Sequence, residues 1–235
     1  MENQAKNLSC DLCSAHCKSI FRYLDKEKIQ KLSAQKVMNT YKKGTTLFHQ
    51  GNKAFGVHCL ASGKIKISSL TDDGKENVMS IATAGDALGH RNIYGDKDYT
   101  STAVALEDSK ICFIESRNII ELLESDSSFS KGLFERMSHE INSIERRELS
   151  LMYKSVRVRV AQLLIWLAKD FGKDVSGKLK LDLVLSRSEM ASMVGIASET
   201  LIRLLTELKQ EGIIEQQGKA LYILAPDELR EQTYE

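Results

Sequence analysis

The sequence predicts an α+β chain built from an antiparallel β-roll, one long helix and a C-terminal winged helix-turn-helix. Three patterns carry this reading. From Met38 to Glu115, short runs rich in Val, Ile, Thr and Phe are punctuated by Gly44, Gly51, Gly63, Gly74, Gly85 and Gly89, which is how strands joined by turns appear. From Phe134 to Leu151, apolar residues recur at heptad spacing in an otherwise polar stretch. From Ser186 onward, a capped short helix, a glycine turn and a longer amphipathic helix precede two short strands. The 235 residues suffice for two domains with cores of their own. The expected divisions are a cysteine-rich segment 1–20, a β-roll 21–125, a long helix 126–155 and a winged helix-turn-helix 156–235.

The first segment, "LSCDLCSAHCKSIF", packs Cys10, Cys13 and Cys17 close together, and the remaining cysteines are Cys59 and Cys112. The opening "MENQAKNLSC" has no apolar export stretch, and no run of about 18 to 20 apolar residues follows. A soluble, cytoplasmic protein with no membrane partner is expected. In that reducing compartment, five bunched cysteines suit metal binding or thiol chemistry better than a disulfide framework. A zinc ion on Cys10, Cys13, Cys17 and either Cys112 or His16 would satisfy tetrahedral geometry, and a metal-free thiol switch would use the C-x-x-C start. Cys59, beside His58 in a predicted strand, is expected to behave as a small buried hydrophobe.

Within the β-roll, "TDDGKE" is the clearest hairpin, with Asp73-Gly74 expected to take the positive φ angles of a tight turn between "KIKISSL" and "NVMSIA". The long helix from about Asp126 to Ser155 carries Phe134, Met137, Ile141, Ile144, Glu148 and Leu151 at spacings of 3, 4, 3, 4 and 3. This is either the seam of a parallel homodimer or a stripe lying on the chain's own β-domain. Phe134, Met137, Ile141, Ile144 and Leu151 are the candidate seam, weakened where Glu148 falls on it.

In the last part, Ser186 and Glu189 form a capping box, Gly195 closes the short helix, and a second helix is expected from about Ser198 to Gln210. Its inner face is Leu201, Leu204, Leu205 and Leu208, leaving Ser198, Glu199, Ile202 and Arg203 on the other side of its first two turns. A helix entering the major groove by its N-terminal end presents those positions to base edges. Arg203 can donate twice to guanine, and Glu199 can accept from a cytosine or adenine amino group. The alternative is an ordinary exposed Glu–Arg pair. "GIIEQQGKALYIL" then reads as two strands around Gln217-Gly218, a wing. The net charge of +1 argues mildly against non-specific coating of nucleic acid. An enzyme is not expected: there is no phosphate-binding glycine loop, no HExxH, and His49, His58, His90 and His139 have no ligand or triad spacing. A disulfide oxidoreductase would place its C-x-x-C at the head of a helix in a βαβ unit.

The order of parts, with "LSRSEMASMVGIASETLIRLL", resembles the CRP/FNR family of bacterial transcription regulators over essentially the whole chain. "SETLIR" matches the family's E-x-x-x-R recognition element at Glu199 and Arg203. Ala197 stands where the family usually has Ser or Thr, Ser198 replaces an arginine of the CRP branch, and Ile202 replaces Gly or Ser. The resemblance implies a cyclic-nucleotide-binding-like β-roll, a homodimer, double-stranded DNA with an inverted-repeat site, and contact with RNA polymerase. In nucleotide-binding members a Gly-Glu pair holds the ribose and an Arg-Ser or Arg-Thr pair the cyclic phosphate. Here Gly89 is kept, His90 replaces the glutamate and Thr100 the arginine before Ser101, so cyclic AMP is not expected to bind. "ALEDSKICFI" resembles the segment in which the FNR branch joins one central cysteine to an N-terminal cluster around an oxygen-labile [4Fe-4S] centre. That implies ligands at Cys10, Cys13, Cys17 and Cys112, spaced C-x2-C-x3-C at the N-terminus. A same-fold regulator gated by a small molecule or by thiol oxidation is the alternative.

Overall fold

The computed structural model describes residues 9–94, 98–183 and 185–233. Residues 1–8 of the cysteine-rich segment and 95–97 of the stretch compared with nucleotide sites lie outside them. Two compact units are formed, the first running to Lys75 and from Met79 to Ile141, the second comprising Glu76–Val78 and Asn142 onward.

The first unit opens with three single-turn 3-10 helices, Cys10–Leu12, His16–Lys18 and Ile20–Tyr23, followed by α1 (Lys26–Gln35). Asp25 caps α1 by accepting from the Lys28 N–H at 2.9 Å, and Ile29 and Leu32 turn to the core. Eight strands follow: β1 (Val37–Tyr41), β2 (Thr46–Phe48), β3 (Gly56–Ser62), β4 (Lys64–Leu70), β5 (Glu76–Thr83), β6 (Ala87–Leu88), β7 (Thr102–Ala105) and β8 (Ser109–Glu115). They build two four-stranded sheets, in the orders β1-β8-β3-β6 and β2-β7-β4-β5, the expected antiparallel roll. Its interior is Phe48, Leu60, Ile65, Ala103, Ala105 and Ile111. A second apolar cluster joins Ile20 and Phe21 of the N-terminal segment, Ile29 and Leu32 of α1, Ile119 of α2 (Ser116–Ser125) and Phe129 of α3 (Ser127–Tyr153). α3 starts where Asp126 accepts from the Phe129 N–H at 2.8 Å.

The β4–β5 turn corrects one expectation. Gly74 takes φ of 77°, but Asp73 does not share a positive φ. The loop is wider than two residues: the Thr71 N–H donates to the Lys75 carbonyl at 3.0 Å and the Gly74 N–H to that of Thr71 at 2.8 Å. A single left-handed glycine then closes the hairpin. Asp73 uses its carboxylate instead, accepting from Thr71 Oγ1 at 2.5 Å and Lys75 Nζ at 2.6 Å.

His58 lies inside the roll, its Nε2 3.1 Å from Tyr99 Oη, against Phe48 and Phe113. Its buried Nδ1 has no hydrogen-bond partner among the described residues. Burial lowers its pKa from 6.5 to about 4. The unfolded chain therefore binds this proton first, and the neutral ring's contribution is full above pH 6.5 and is lost as pH falls to about 4. About 3 kcal/mol of stability should disappear across that window. Thermal unfolding of His58→Leu against pH should be flatter there than that of the wild type.

The second unit is built on α4 (Val156–Phe171), capped by Ser155. Then come β9 (Gly172–Val175), β10 (Lys178–Leu181), α5 (Arg187–Val194), α6 (Ser198–Gln210), β11 (Ile214–Gln217), β12 (Ala220–Ile223) and α7 (Pro226–Glu231). The wing expected as β11 and β12 belongs to a four-stranded sheet, β11-β12-β10-β9. The β9–β10 hairpin turns on Ser176 and Gly177, at φ of 54° and 77°, a two-residue loop with both central residues left-handed. The core is Val158, Leu164 and Leu167 of α4 packed with Leu201 and Leu208 of α6, Ile214 and Ile223. No helix among the described residues is long and apolar enough to cross a membrane.

Candidate thiolate centre and nucleic-acid interface

Four thiols line one cavity in the first unit: Cys10 and Cys13 from the N-terminal segment, Cys59 of β3 and Cys112 of β8. The strands bring the last two together, because Cys59 and Cys112 are opposite each other in the β3–β8 register. Directly opposed residues of an antiparallel pair project from the same face. The turns over them are tied down by the Cys10 N–H donating to Ser33 Oγ of α1 at 2.8 Å and by burial of Ala15, Ile20 and Phe21. Gly85 completes the cavity wall. At φ of 101°, a Cβ there would lie 2.6 Å from Lys18 Cβ, so glycine permits the close approach of the segment.

The sequence leads one to expect Cys17 in this group and Cys59 outside it; the cavity lining includes Cys59 and not Cys17. Cys17 is exposed, its Sγ 4.0 Å from the Ser14 carbonyl, and it is not among the residues lining the cavity. His16 and Ser19, three apart, both line it. In a 3-10 turn such residues eclipse each other and the two between them, Cys17 and Lys18, point elsewhere. Cys59 is half-buried beside the other thiols rather than sealed in the roll. The missed signal was the strand register, which no local pattern around Cys59 displays.

Burial pushes the Cys59 thiol well above its ordinary pKa, helped by Cys112, Cys10 and Cys13 and opposed by Lys36. Burial also raises that of Cys112, again opposed by Lys36. Any group taking these sulfurs as thiolates must displace their protons. Among the described residues, no three His, Cys, Asp or Glu side chains stand ready to hold a metal ion, so the tetrahedral zinc arrangement is not preassembled. The donors lining the cavity, four thiols and His16 with no carboxylate, include the four thiolates that an iron–sulfur cluster takes.

In the stretch compared with nucleotide sites, His90 and Arg91 are both engaged with other residues of the chain. His90 is buried, with Nδ1 2.9 Å from the Ala87 carbonyl and Nε2 3.2 Å from Glu140 Oε2. Arg91, the residue of that stretch whose charge could serve a phosphate, donates to Glu140 at 3.0 Å. Burial would raise the Glu140 carboxyl, but the hydrogen bond and charge of His90, with Arg136 and Arg91, outweigh it and hold the pKa at about 2.

In the second unit, the capping box opens α5, with Ser186 accepting from the Glu189 N–H at 3.1 Å and Glu189 Oε2 accepting from the Ser186 N–H at 2.7 Å. Gly195 ends it at φ of 66°. α6 follows with Leu201, Leu204, Leu205 and Leu208 buried. Glu199, Ile202 and Arg203 are exposed, and Ser198 is half-buried. Arg203 does not pair with Glu199; its Nε is 3.9 Å from Glu207 Oε1, one turn further on, too long for a hydrogen bond. Ala197 is the N-cap and offers no side-chain cap.

On α3, Phe134, Ile141 and Ile144 are 71%, 54% and 53% exposed. Met137 differs from the expected seam: it is partly buried against the chain's own core beside Leu133. Leu151 is exposed but lies close to Gly195 at the end of α5. Leu149, Met152 and Tyr153 are further exposed apolar residues of α3 that the heptad reading passed over.

A capped helix, a glycine turn, a second helix with free polar and apolar side chains on its outer face, and a wing make this a DNA-binding transcription regulator rather than an enzyme. Residues 38–126 match the cyclic nucleotide-binding domain and 158–232 the Crp-like helix-turn-helix domain. The chain is 31% identical over 188 residues to the transcriptional activator protein anr of Pseudomonas aeruginosa, covering 80% of this chain and 77% of that one. It is 27% identical over 235 residues to the fumarate and nitrate reduction regulatory protein of Vibrio cholerae, covering 97% and 94%. A CRP/FNR-family transcriptional regulator from Thermus thermophilus shares the fold, with a TM-score of 0.73 at 19% identity over 85% of this chain and 99% of that one. The chain belongs to the CRP/FNR family of transcription regulators, whose members typically bind DNA as dimers.

Proposed function

We propose that this regulator reads oxygen or redox state through a thiolate-held [4Fe-4S] cluster and binds an inverted-repeat site as a homodimer paired along α3. The observation that carries it is Cys10, Cys13 and Cys112 lining one cavity, in a chain whose relatives include a fumarate and nitrate reduction regulator. When bound, such a cluster supplies an oxygen-labile, redox-active centre. The chain's own residues would carry its state onward. Phe21 of the cysteine segment stacks on Phe129 of α3 with centroids 5.6 Å apart. The Tyr23 ring packs so closely on α3 at Gly132 that no Cβ could be accommodated there, and Tyr23 Oη donates to Glu135 at 3.0 Å. Displacing the cysteine turns therefore disturbs the helix proposed to pair the subunits.

Protein purified without air should contain iron and sulfide, absorb visible light and bind a palindromic site, and exposure to air should remove all of these together. Zinc, or no metal, in the anaerobic protein would overturn the reading in favour of gating by a small molecule or by thiol oxidation.

At the DNA, Arg203 and Glu199 are proposed to read base edges, with Ser198 and Ile202 beside them. Removing one bidentate contact costs about 1–3 kcal/mol. Arg203→Ala should therefore weaken binding to the inverted repeat by roughly 5- to 150-fold, with little effect on random DNA. Equal losses on both would make Arg203 a phosphate contact.

A further inference from the structure

We propose that Cys59, rather than Cys17, completes the thiolate set, so that two ligands come from neighbouring strands and two from the turns above them. This rests on the iron–sulfur reading, and it changes where the centre is anchored. Cys59 and Cys112 are cross-strand partners and share the cavity with Cys10 and Cys13. Hydrogen-bonded strands hold the first two sulfurs whether or not a group is bound. Cys10 and Cys13, three apart around the Cys10–Leu12 turn, supply the pair that comes from outside the sheet.

Bringing Cys17 into the cavity would require the turn that carries it to rotate. Cys17 sits in the His16–Lys18 turn, with His16 and Ser19 already facing the cavity. Rotating the turn to bring Cys17 inward would swing these two out. It would also drag on Ala15 at one end and Ile20 and Phe21 at the other, which are 5%, 5% and 3% exposed. These buried neighbours fix the turn in the orientation that leaves Cys17 in solvent.

The test uses the full-length protein reconstituted without air. Iron and sulfide per protomer and visible absorption are measured for the wild type, Cys17→Ser, Cys59→Ser and Cys59→Ala. Alkylation by iodoacetamide is mapped residue by residue in the loaded and metal-free wild type, so the answer does not depend on a variant folding. Cys17→Ser should keep the wild-type iron content, and both Cys59 variants should fall below about one tenth of it. In the loaded wild type, Cys17 should alkylate at its metal-free rate, while Cys59 slows at least tenfold with Cys10, Cys13 and Cys112. Loss of iron in Cys17→Ser, retention in the Cys59 variants, or an unprotected Cys59 in the loaded protein would each overturn the assignment. An iron-free wild type would instead overturn the cluster reading itself, and the assignment with it.

Discussion

Replacing Ile141 and Ile144 by lysine should yield a folded monomer that no longer binds its inverted repeat. Both side chains are already more than half exposed in the protomer, so the charges cost the fold little. In a two-fold pairing along α3 the double change touches four isoleucines. Each isoleucine has only about half of its side chain left to bury on pairing, about 0.8–1.5 kcal/mol, so about 3–6 kcal/mol of association energy is removed before repulsion between the new charges. A micromolar dimer has only about 8 kcal/mol to lose. Sedimentation velocity and gel-shift titration would show it, and a double variant that still sediments as a dimer would place the interface elsewhere on the chain.

Cys112→Ser should abolish the anaerobic chromophore and, with it, at least a tenfold preference of DNA binding for air-free conditions. Cys112 is 6% exposed in β8, opposite both Met38 of β1 and Cys59 of β3, so its sulfur cannot be supplied from another position by a small movement. Serine is close in size but offers no thiolate. Iron and sulfide analysis together with visible absorption decide the matter, and full iron content in Cys112→Ser would exclude this residue as a ligand.

Much of the second unit was legible because its signals are local. The Ser186–Glu189 box, Gly195 and the Leu201–Leu208 stripe lie within a few residues of what they determine, and the bounds of α6 fell at Ser198 and Gln210 as expected. The β9–β10 hairpin escaped because Ser176 takes a left-handed conformation usually left to Asn, Asp or Gly, although the Ser-Gly pair is a turn signal. The opposite error arose at Asp73-Gly74, where the dipeptide was right and the loop length wrong. Helices α1 and α2 were not separated from the β-roll, their apolar faces being only a few residues long. The thiol group was half legible. Cys10, Cys13 and Cys112 came from motif and resemblance, whereas Cys59 depends on which strand lies beside β8 and in what register. That is a property of the folded sheet, which no window of sequence contains.

Gly85 gives this protein a genetic signature as well as a structural one. Under the proposed cluster, a screen for alleles blind to oxygen would be expected to return Cys10, Cys13, Cys59 and Cys112, because each would lose a donor atom. Position 85 belongs in the same collection although it donates nothing: any side chain there collides with the backbone-proximal atoms of Lys18 and lifts the segment carrying Cys10 and Cys13. The two kinds of allele would be told apart by suppression. A missing sulfur can be restored only by a sulfur, whereas the lesion at 85 joins a collision with Lys18 Cβ to the strain of a side chain at φ of 101°, so glycine at 18, which alone removes that Cβ, should relieve the collision and leave the strain.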